Sequence, residues 1–522
     1  MSNRLGNVIT APVNTSKRWA VNAVSVLGAW LGAYHSTDPR IRLFQKWRPR
    51  QATSDQTIAL NIYTLIAQCR HLYRTVPMAR AVVEGHVADI VGTGIDILPD
   101  TGGTAQDRLI QEIFHEWAEH ACVDNSSLWE WQRLCVREMS CAGSVLGRWV
   151  NLNERLDEGQ IPYVILPLEE EWLYQIPVPG KKNIDLYKED HKFVHGVELD
   201  KLRRPVRYHL HNPEYPTWQG EAVDAQYMIH FFERIRTSQT HGEPWLSVVI
   251  ERLMQDGRLV ETELDAAVLT AAPAVAIKSP YHGQTSNYDG VATTNPYEAV
   301  DKIEMGATVR LLPGEEVQSI ENHRPAQGIA PFRATIKGDI AGCTRSSQYW
   351  LDRDTARANY SSMRMDQLLT KRQLAGIKEL IGTHAAGAPY LKILPMILTK
   401  AGIAIPKSIE ARNELKRFQL RPDQPDYVNP LEDIQASVLA IENGLSTVEY
   451  ECSRRNMDYR HVIEQRISER KMFNDGGLPQ PAIRRYGTEQ QAASTPTEMV
   501  ESNKTKVVEG PDEEGKEKAN VA

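Results

Sequence analysis

Cysteine is scarce in this sequence, and its spacing excludes two common uses of the residue. There are six cysteines in 522 residues. No two of them have the C-x₂-C spacing of a zinc ribbon, and six are too few for a small disulfide-stabilised scaffold. We therefore predict reduced thiols in a cytosolic environment.

Long hydrophobic runs are also missing. The best candidate, residues 19–34, contains Asn22 and Ser25 and is shorter than the roughly 20 residues that a membrane-spanning helix needs. The N-terminus shows no apolar core followed by a cleavage pattern, as a secretory signal would. We predict no membrane partner, and we interpret residues 19–34 as a short amphipathic helix or docking arm.

The usual motifs of catalysis are missing or wrongly spaced. His115 and His120 are five residues apart, whereas a zinc-binding helix needs histidines at i and i+4. His209 and His211 share one face of a strand, but no third ligand is evident near them. There is no phosphate-binding P-loop and no nucleophile elbow. We predict a structural or assembly protein with no enzyme activity, cofactor or metal. An unrecognised metal-dependent hydrolase is the alternative from another class.

An excess of positive charge is missing as well. The formal net charge is −7, which argues against a protein that coats nucleic acid by bulk electrostatics. Basic residues are concentrated in residues 1–50, where eight of them stand against Asp38 alone. This basic N-terminal arm either touches phosphates or an acidic partner, or is a solvated tether. The adjacent acids Glu169, Glu170 and Glu171 are interpreted as a solvated turn.

Hydrophobic periodicity divides the chain into helical and β-rich parts. Residues 51–165 are predicted to be mainly helical, with one helix from Ser126 to Trp149. Residues 161–240 alternate in a way typical of strands and are interrupted by Pro and Gly turns. From Gly476 onward large apolar residues nearly vanish, so this tail is predicted to be disordered.

A long amphipathic helix near the middle of the chain is the most informative element. Pro244 is favoured at a helix start, and Pro273 prevents continuation past Ala272. Unbroken, this helix would be about 43 Å long, and Gly257 allows a bend. A rod with such a broad polar face suits packing against copies of itself. The candidate oligomerisation residues are Leu246, Val249, Leu253, Val260 and Leu264.

The second half of the chain is predicted to be largely helical after an irregular or β segment. The predicted elements are an irregular or β segment at 274–328, a helix at about Pro331–Ser346, a loop at Ser347–Ala358, a helix at Ser361–Ile381, and helical segments at Leu431–Tyr450 and Arg454–Met472. Within the last part, Asn443–Thr447 supplies a glycine helix C-terminus followed by a Ser or Thr N-cap.

A series of short motifs runs along the chain in a characteristic order. The motifs are Gly32-Ala-Tyr34, Arg80-Ala-Val-Val83, Val91-Gly-Thr-Gly-Ile95, Gly196-Val-Glu-Leu-Asp200, Arg204-Pro-Val-Arg-Tyr-His209, His230-Phe-Phe-Glu-Arg234, Gln239-Thr-His-Gly-Glu-Pro244, Leu311-Leu-Pro-Gly-Glu315 and Asn359-Tyr-Ser-Ser-Met-Arg364. Across about residues 30–475 the chain resembles the portal proteins of tailed bacteriophages, in their lambda-type branch. It departs from them at His241-Gly-Glu243, where the family often has Arg-Gly, and at Cys343–Gln348, which is more polar than usual.

The resemblance implies an α+β, ring-forming portal fold. Such a fold has a mixed α/β wing, a long-helix stem, a small β-containing clip and a helical crown. Carried onto this sequence, the divisions are the basic N-terminal arm (1–50), the wing (51–240), the first stem helix (241–273), the clip (274–328), the second stem helix (329–346), the tunnel loop (347–360), the long helix and wing return (361–424), the helical crown (425–475) and the disordered tail (476–522).

The resemblance also implies a function. About twelve copies would form a ring at one capsid vertex, through which double-stranded DNA passes without sequence specificity during packaging and ejection. The implied partners are the terminase large subunit, the head–tail connector, and the major capsid and scaffold proteins. The implied location is the virion, after assembly in the host cytoplasm. The alternative within phages is another head structural or head–tail adaptor protein, a class that is generally shorter.

The predicted tunnel loop carries the candidate DNA contacts. We expect Trp350, Arg353 and Arg357 to meet the DNA backbone transiently, because few cations in an acidic protein would not hold the DNA tightly. In the competing interpretation the two arginines pair with Asp352, Asp354 or a neighbouring subunit.

Overall fold

The computed structural model describes most of the chain between residues 51 and 476. The described residues are 51–58, 61–157, 159–173, 191–212, 220–271, 275–278, 316–319, 328–352, 359–422, 430–455, 457 and 459–476. The predicted N-terminal arm, nearly all of the predicted tail and most of the predicted clip lie outside them. The chain divides into two compact units, 1–425 and 426–522.

The helices of the first unit lie mainly before and after a β-rich stretch of the chain. They are α1 (Ser54–Ile58), α2 (Ile62–Thr75), α3 (Pro77–Ile90), α4 (Thr104–Ala118), α5 (Leu128–Cys141), α6 (Glu154–Asp157), α7 (Ile250–Ala271), α8 (Ile329–Thr344), α9 (Gln348–Asp352), α10 (Tyr360–Ile381), α11 (Ala388–Lys400) and α12 (Ile409–Leu415). None of the described helices is both long and apolar enough to cross a bilayer.

The strands of the first unit form small antiparallel sheets. They are β1 (Asp96–Pro99), β2 (Ser144–Asn151), β3 (Tyr163–Leu168), β4 (Lys192–Val194), β5 (Val197–Leu199), β6 (Pro205–Leu210), β7 (Glu221–Asp224), β8 (Met228–Phe232), β9 (Val275–Lys278), β10 (Glu316–Ser319) and β11 (Phe418–Arg421). The sheet orders are β3-β2-β8, β4-β5-β6-β7, β1-β11 and β9-β10. Helices and sheets together give the α+β class that the sequence indicates.

The predicted helix from Ser126 to Trp149 is wrong in its second half. Helix α5 begins with a capping box, in which Ser127 Oγ accepts a hydrogen bond from the Glu130 N–H and the Ser127 N–H donates to Glu130 Oε2 at 2.8 Å. It ends at Cys141, and strand β2 follows. Gly143 makes the turn with φ of +89°, a region that favours glycine. A Cβ there would lie 2.5 Å from the Glu243 backbone, so only glycine fits at this turn.

The largest hydrophobic core lies where α10 and α11 pack on α4 and α5. Three aromatic side chains meet there: the ring of Tyr390 is 5.3 Å from that of Phe114 and 5.4 Å from that of Phe418. Trp131 of α5 is also buried in this core. Strand β11 reaches it by pairing with β1, more than 300 residues earlier in the chain, with Ile97 opposite Leu420.

A π-helical turn at Gly382–Gly387 joins α10 to α11. This wider turn lies directly against β11. A Cβ on Gly382 would come within 2.9 Å of the Leu420 side chain, and one on Gly387 within 2.8 Å of Phe418. Glycine at both positions leaves room for the Leu420 and Phe418 side chains, and any larger residue would force these side chains to move.

The second unit contains the helices α13 (Pro430–Glu442), α14 (Val448–Arg454) and α15 (Tyr459–Asp475). The predicted break at Asn443–Thr447 is confirmed: Gly444 has φ of +71°, and Thr447 Oγ1 caps α14 by accepting from the Tyr450 N–H at 3.1 Å. The buried Glu451 carboxylate accepts hydrogen bonds from Ser437 at 2.8 Å and Ser446 at 2.9 Å. These bonds join α14 to α13 and to the loop between them.

Candidate assembly surface and channel segment

The predicted stem helix is shorter than the sequence indicates. Pro244 precedes a 3₁₀ turn at Trp245–Val249, and α7 begins only at Ile250. At 22 residues, α7 is about 33 Å long. It continues through Gly257 without interruption.

The first three candidate oligomerisation residues lie inside the chain's own core. Leu246, Val249 and Leu253 are 0%, 1% and 0% exposed. They belong to a cluster with apolar residues of α2, α3 and α8. The predicted role in contacts between copies therefore does not fit these three, because neighbouring helices of the same chain already cover them.

The second half of α7 presents its apolar residues to the surface. Val260 is half-buried, whereas Leu264 is 60% exposed and Val268 is 70% exposed. We call Val260, Leu264 and Val268 the distal α7 face. Of the five candidates named from the sequence, only Val260 and Leu264 are thus available to a second copy.

A second exposed apolar surface follows on α10. Met365, Leu368 and Leu369 are exposed near its start, while Ile377 and Ile381 on the same helix are buried. The sequence stripe runs through all five, and only the packing of the chain separates the exposed from the buried ones. We call the three exposed residues the α10 face. The hydrophobic periodicity that identified candidate oligomerisation residues on α7 could also have identified the α10 face.

Helices α7 and α8 are joined by a half-buried ion pair. The guanidinium of Arg333 donates to both carboxylate oxygens of Asp256, at 2.8 and 2.9 Å. Asp256 is buried, and Arg333 keeps about a third of its side chain exposed. This two-point contact sets the axial register of the two helices.

The end of α8 is held by buried contacts to the rest of the first unit. His86 of α3 donates from Nε2 to the Thr344 carbonyl at 2.7 Å and lies 3.0 Å from Ser346 Oγ. Burial lowers the pKa of His86 to about 4, so the ring is neutral at physiological pH. Arg345, with φ of +60°, pairs with Glu233 at 2.8 Å.

The segment predicted as the tunnel loop begins as a short helix. Helix α9 occupies Gln348–Asp352, so Trp350 lies on a helix and not on a loop. Tyr349 contacts Ser362 Oγ through its hydroxyl at 3.1 Å, and Ser347 Oγ donates to Asp366, which ties the N-terminal end of α9 to α10. The segment 353–358, with its two candidate arginines, lies outside the described residues.

The histidines singled out in the sequence serve other contacts. His115 Nε2 lies 3.0 Å from Asp96 Oδ1, and His120 is exposed at the end of the same helix. His209 is buried and lies 3.5 Å from Glu198 rather than in a site with His211. Neither sequence pair forms a metal site.

Three other residues do come together. Glu170, His230 and His241 offer ligand atoms that all lie within 4.8 Å of one another. His241 Nδ1 is 2.6 Å from Glu170 Oε1. The interpretation of Glu169–Glu171 as a solvated turn is wrong for Glu170, which is 3% exposed. We call these three residues the Glu-His-His cluster.

The electrostatics of the cluster follow from its burial. Burial alone would raise the pKa of Glu170, but the charge and hydrogen bond of His241 outweigh it and leave the pKa below its usual value. Burial would lower the pKa of His241, but Glu170 keeps it above its usual value. Burial lowers the pKa of His230 to about 4. Glu170 and His241 are therefore an ion pair beside a neutral imidazole.

Comparison with known proteins gives one family and several relatives. The family model described as "Phage portal protein, lambda family" matches residues 40–378. Portal protein B of Escherichia phage lambda is 23% identical over 319 residues, and the portal protein of Escherichia phage N15 is 24% identical over 319 residues. Each alignment covers 55% of this chain and 60% of the relative. The chain thus spans less than two thirds of the length of either relative.

Solved structures show a weaker likeness. The neck of a native gene transfer agent (GTA) particle, computed with C12 symmetry, is 12% identical with a TM-score of 0.42, covering 74% of this chain and 89% of that chain. The virion of a native GTA particle is 12% identical with a TM-score of 0.41, covering 75% of this chain and 95% of that chain. TM-scores this low carry no argument about this chain.

Proposed function

The chain belongs to the lambda family of phage portal proteins, and we propose that it forms the ring-shaped channel at one capsid vertex through which double-stranded DNA is packaged and ejected. Portal proteins are structural and not catalytic. The observation that carries the proposal is the family match over residues 40–378. This range includes α7, α8, α9 and most of α10.

The exposed surfaces of α7 and α10 support a ring. The distal α7 face and the α10 face expose aliphatic side chains that a neighbouring copy would cover, with the free energy gain expected for buried apolar area. A closed ring is built from one heterologous contact repeated by rotation. A ring of about twelve copies is what the lambda-type resemblance implies.

The net charge supports the channel role. An overall net charge of −7 limits attraction to phosphate, so DNA could slide without being held. Within the channel we propose that Trp350, Arg353 and Arg357 touch the DNA backbone transiently. Charge reversal of both arginines should shorten or abolish packaged DNA; unchanged packaging would favour pairing with Asp352, Asp354 or a neighbouring subunit.

The partners and location that we propose are those of a portal protein. The ring would bind the terminase large subunit during packaging and the head–tail connector afterwards, within a shell of major capsid protein assembled with scaffold protein. Assembly would take place in the host cytoplasm, and the finished ring would stay in the virion. The family match supports this set.

Negative-stain electron microscopy of the purified full-length chain tests the proposal most directly. We expect toroids with an axial hole, and native mass spectrometry should give a single subunit number near twelve. A stable single-copy globule at micromolar concentration would contradict the proposal.

A pair of matched variants tests the surface. Leu264→Asp places a carboxylate on the distal α7 face and should leave the chain folded but monomeric. Thr262→Asp adds the same charge to an exposed position on the opposite side of α7 and should leave the rings intact. Equal loss of rings in both variants would mean that the distal α7 face has no special part in assembly.

A further inference from the structure

The Glu-His-His cluster brings three segments of the first unit to one buried point. Glu170 lies in a 3₁₀ turn just after β3, His230 lies on β8, and His241 lies in the segment that leads to α7. Their ligand atoms are all within 4.8 Å of one another. A group bound to all three would fix the three-stranded sheet to the start of the long helix.

Among the described residues, two polar atoms of the cluster find no hydrogen-bond partner of ordinary geometry. They are Oε2 of Glu170 and Nε2 of His230, and both are buried. Buried polar groups in native structures are almost always satisfied by protein, water or an ion. The Ser144 hydroxyl also lies near the Glu170 carboxylate and helps to lower its pKa, but neither Oε2 of Glu170 nor Nε2 of His230 has a hydrogen bond of ordinary geometry within the part of the chain that the structure describes.

The other nitrogen of each histidine is occupied by the surrounding protein. His241 Nε2 faces the Val194 carbonyl at 3.5 Å, and His230 Nδ1 lies 3.2 Å from the Tyr208 hydroxyl. When Nε2–H of His241 donates to the carbonyl and Nδ1–H of His230 donates to the hydroxyl oxygen, Nε2 of His230 presents a lone pair to the cluster. Nδ1 of His241 presents one once a bound metal ion displaces the proton between it and Glu170. Metal-binding histidines are typically oriented by such outer hydrogen bonds.

We propose that the Glu-His-His cluster binds one zinc ion through Glu170, His230 and His241. Two imidazole nitrogens and one carboxylate form a common protein ligand set for zinc. Nitrogen ligands at about 2.1 Å from one tetrahedral ion lie about 3.4 Å apart, so the 2.6 Å contact between Glu170 and His241 needs to open by less than 1 Å. Magnesium and calcium prefer sets made of oxygen only.

With three protein ligands, a buried water molecule would complete the tetrahedral set, and the role that we assign to the zinc ion is structural because of its burial. Glu170 and His241 are each 3% exposed, so a substrate has no access to the ligands. The ion would hold the approach to α7 in place. Bound zinc would therefore not support a metal-dependent hydrolase.

Zinc titration of the full-length chain tests the proposal. The thiol of Cys343 is exposed, so the experiment uses a Cys343→Ser background, stripped with a chelator and titrated against a chromophoric zinc indicator. We expect one zinc per chain. X-ray absorption should show only nitrogen and oxygen ligands near 2.0–2.1 Å, whereas a sulfur ligand near 2.3 Å would overturn the assignment.

Variants locate the site. Glu170→Gln and His230→Gln should weaken zinc binding by more than about a hundredfold, since changes to the outer partners alone reach that size. His71→Gln, at an exposed histidine of α2, should bind zinc unchanged. Equal binding by all variants overturns the proposal. If these variants fail to fold, the chain with its cluster unmodified still tests the proposal. Zinc should raise the melting temperature of that chain, and no rise overturns the proposal.

Discussion

Shortening Leu253 to alanine tests whether the start of α7 belongs to the chain's own core. Leu253 is 0% exposed and shares a cluster with Leu72, Val82 and Ile340 from three other helices. A buried Leu→Ala change costs about 2–5 kcal/mol, depending on how far the surroundings collapse. Because packed helices on several sides leave little room for collapse, we expect a loss of about 3 kcal/mol in the free energy of unfolding.

Native-state hydrogen exchange on the monomeric fraction measures this loss where it occurs. A change of about 3 kcal/mol corresponds to roughly a hundredfold faster exchange through unfolding, and it should appear in the amides of α2, α3 and α7. Leu264→Ala makes the same truncation at a side chain that is 60% exposed and should stay within about 0.5 kcal/mol. Similar effects of the two variants would refute the division of α7 into a buried half and an exposed half.

Three further predictions concern contacts around the long helices. In a double-mutant cycle, Asp256→Asn and Arg333→Gln should show a coupling free energy of about 1–2 kcal/mol, because the ion pair is half-buried and contains two hydrogen bonds. A coupling free energy near zero would contradict the structure. Burial lowers the pKa of His86 to about 4, from about 6.5 in the unfolded chain. As the pH drops, the unfolded state therefore takes up the proton before the folded state does. The free energy of unfolding should fall by up to about 3 kcal/mol between about pH 6.5 and pH 4. Urea midpoints of the chain and of His86→Gln across this range should show a smaller loss in the variant, and parallel curves would count against the assignment. Gly143→Ala should lower stability by at least about 2 kcal/mol, since its Cβ would lie 2.5 Å from the Glu243 backbone; an unchanged thermal midpoint would show that the turn can relax.

Local signals in the sequence predict those elements that local interactions determine. The glycine stop and threonine cap around Gly444 and Thr447 occur as predicted. Each depends on backbone conformation or capping within a few residues.

Long-range packing explains what the sequence could not predict. The apolar stripe of α7 is continuous in sequence, yet Leu253 is buried and Leu264 exposed, because other helices of the chain cover only the first turns. Likewise Glu170 is buried and paired with His241, which lies 71 residues away in the sequence. Nothing in the run of three glutamates distinguishes Glu170 from its neighbours. The sequence signals for the cluster were that His230 falls in a motif of the family resemblance and that His241 lies where the chain departs from the family's Arg-Gly.

The π-helical turn at Gly382–Gly387 makes the length of this segment as constrained as its composition. Each residue advances a helix by about 100°, so deleting one residue here would restore a regular α-helix while rotating everything downstream by more than a quarter of a turn. The buried side chains of Tyr390, Ile393 and Ile397 would then point away from the core that they fill. The segment therefore fixes the rotation of α11 about its axis relative to α10. Insertions and deletions should be tolerated least at these six residues.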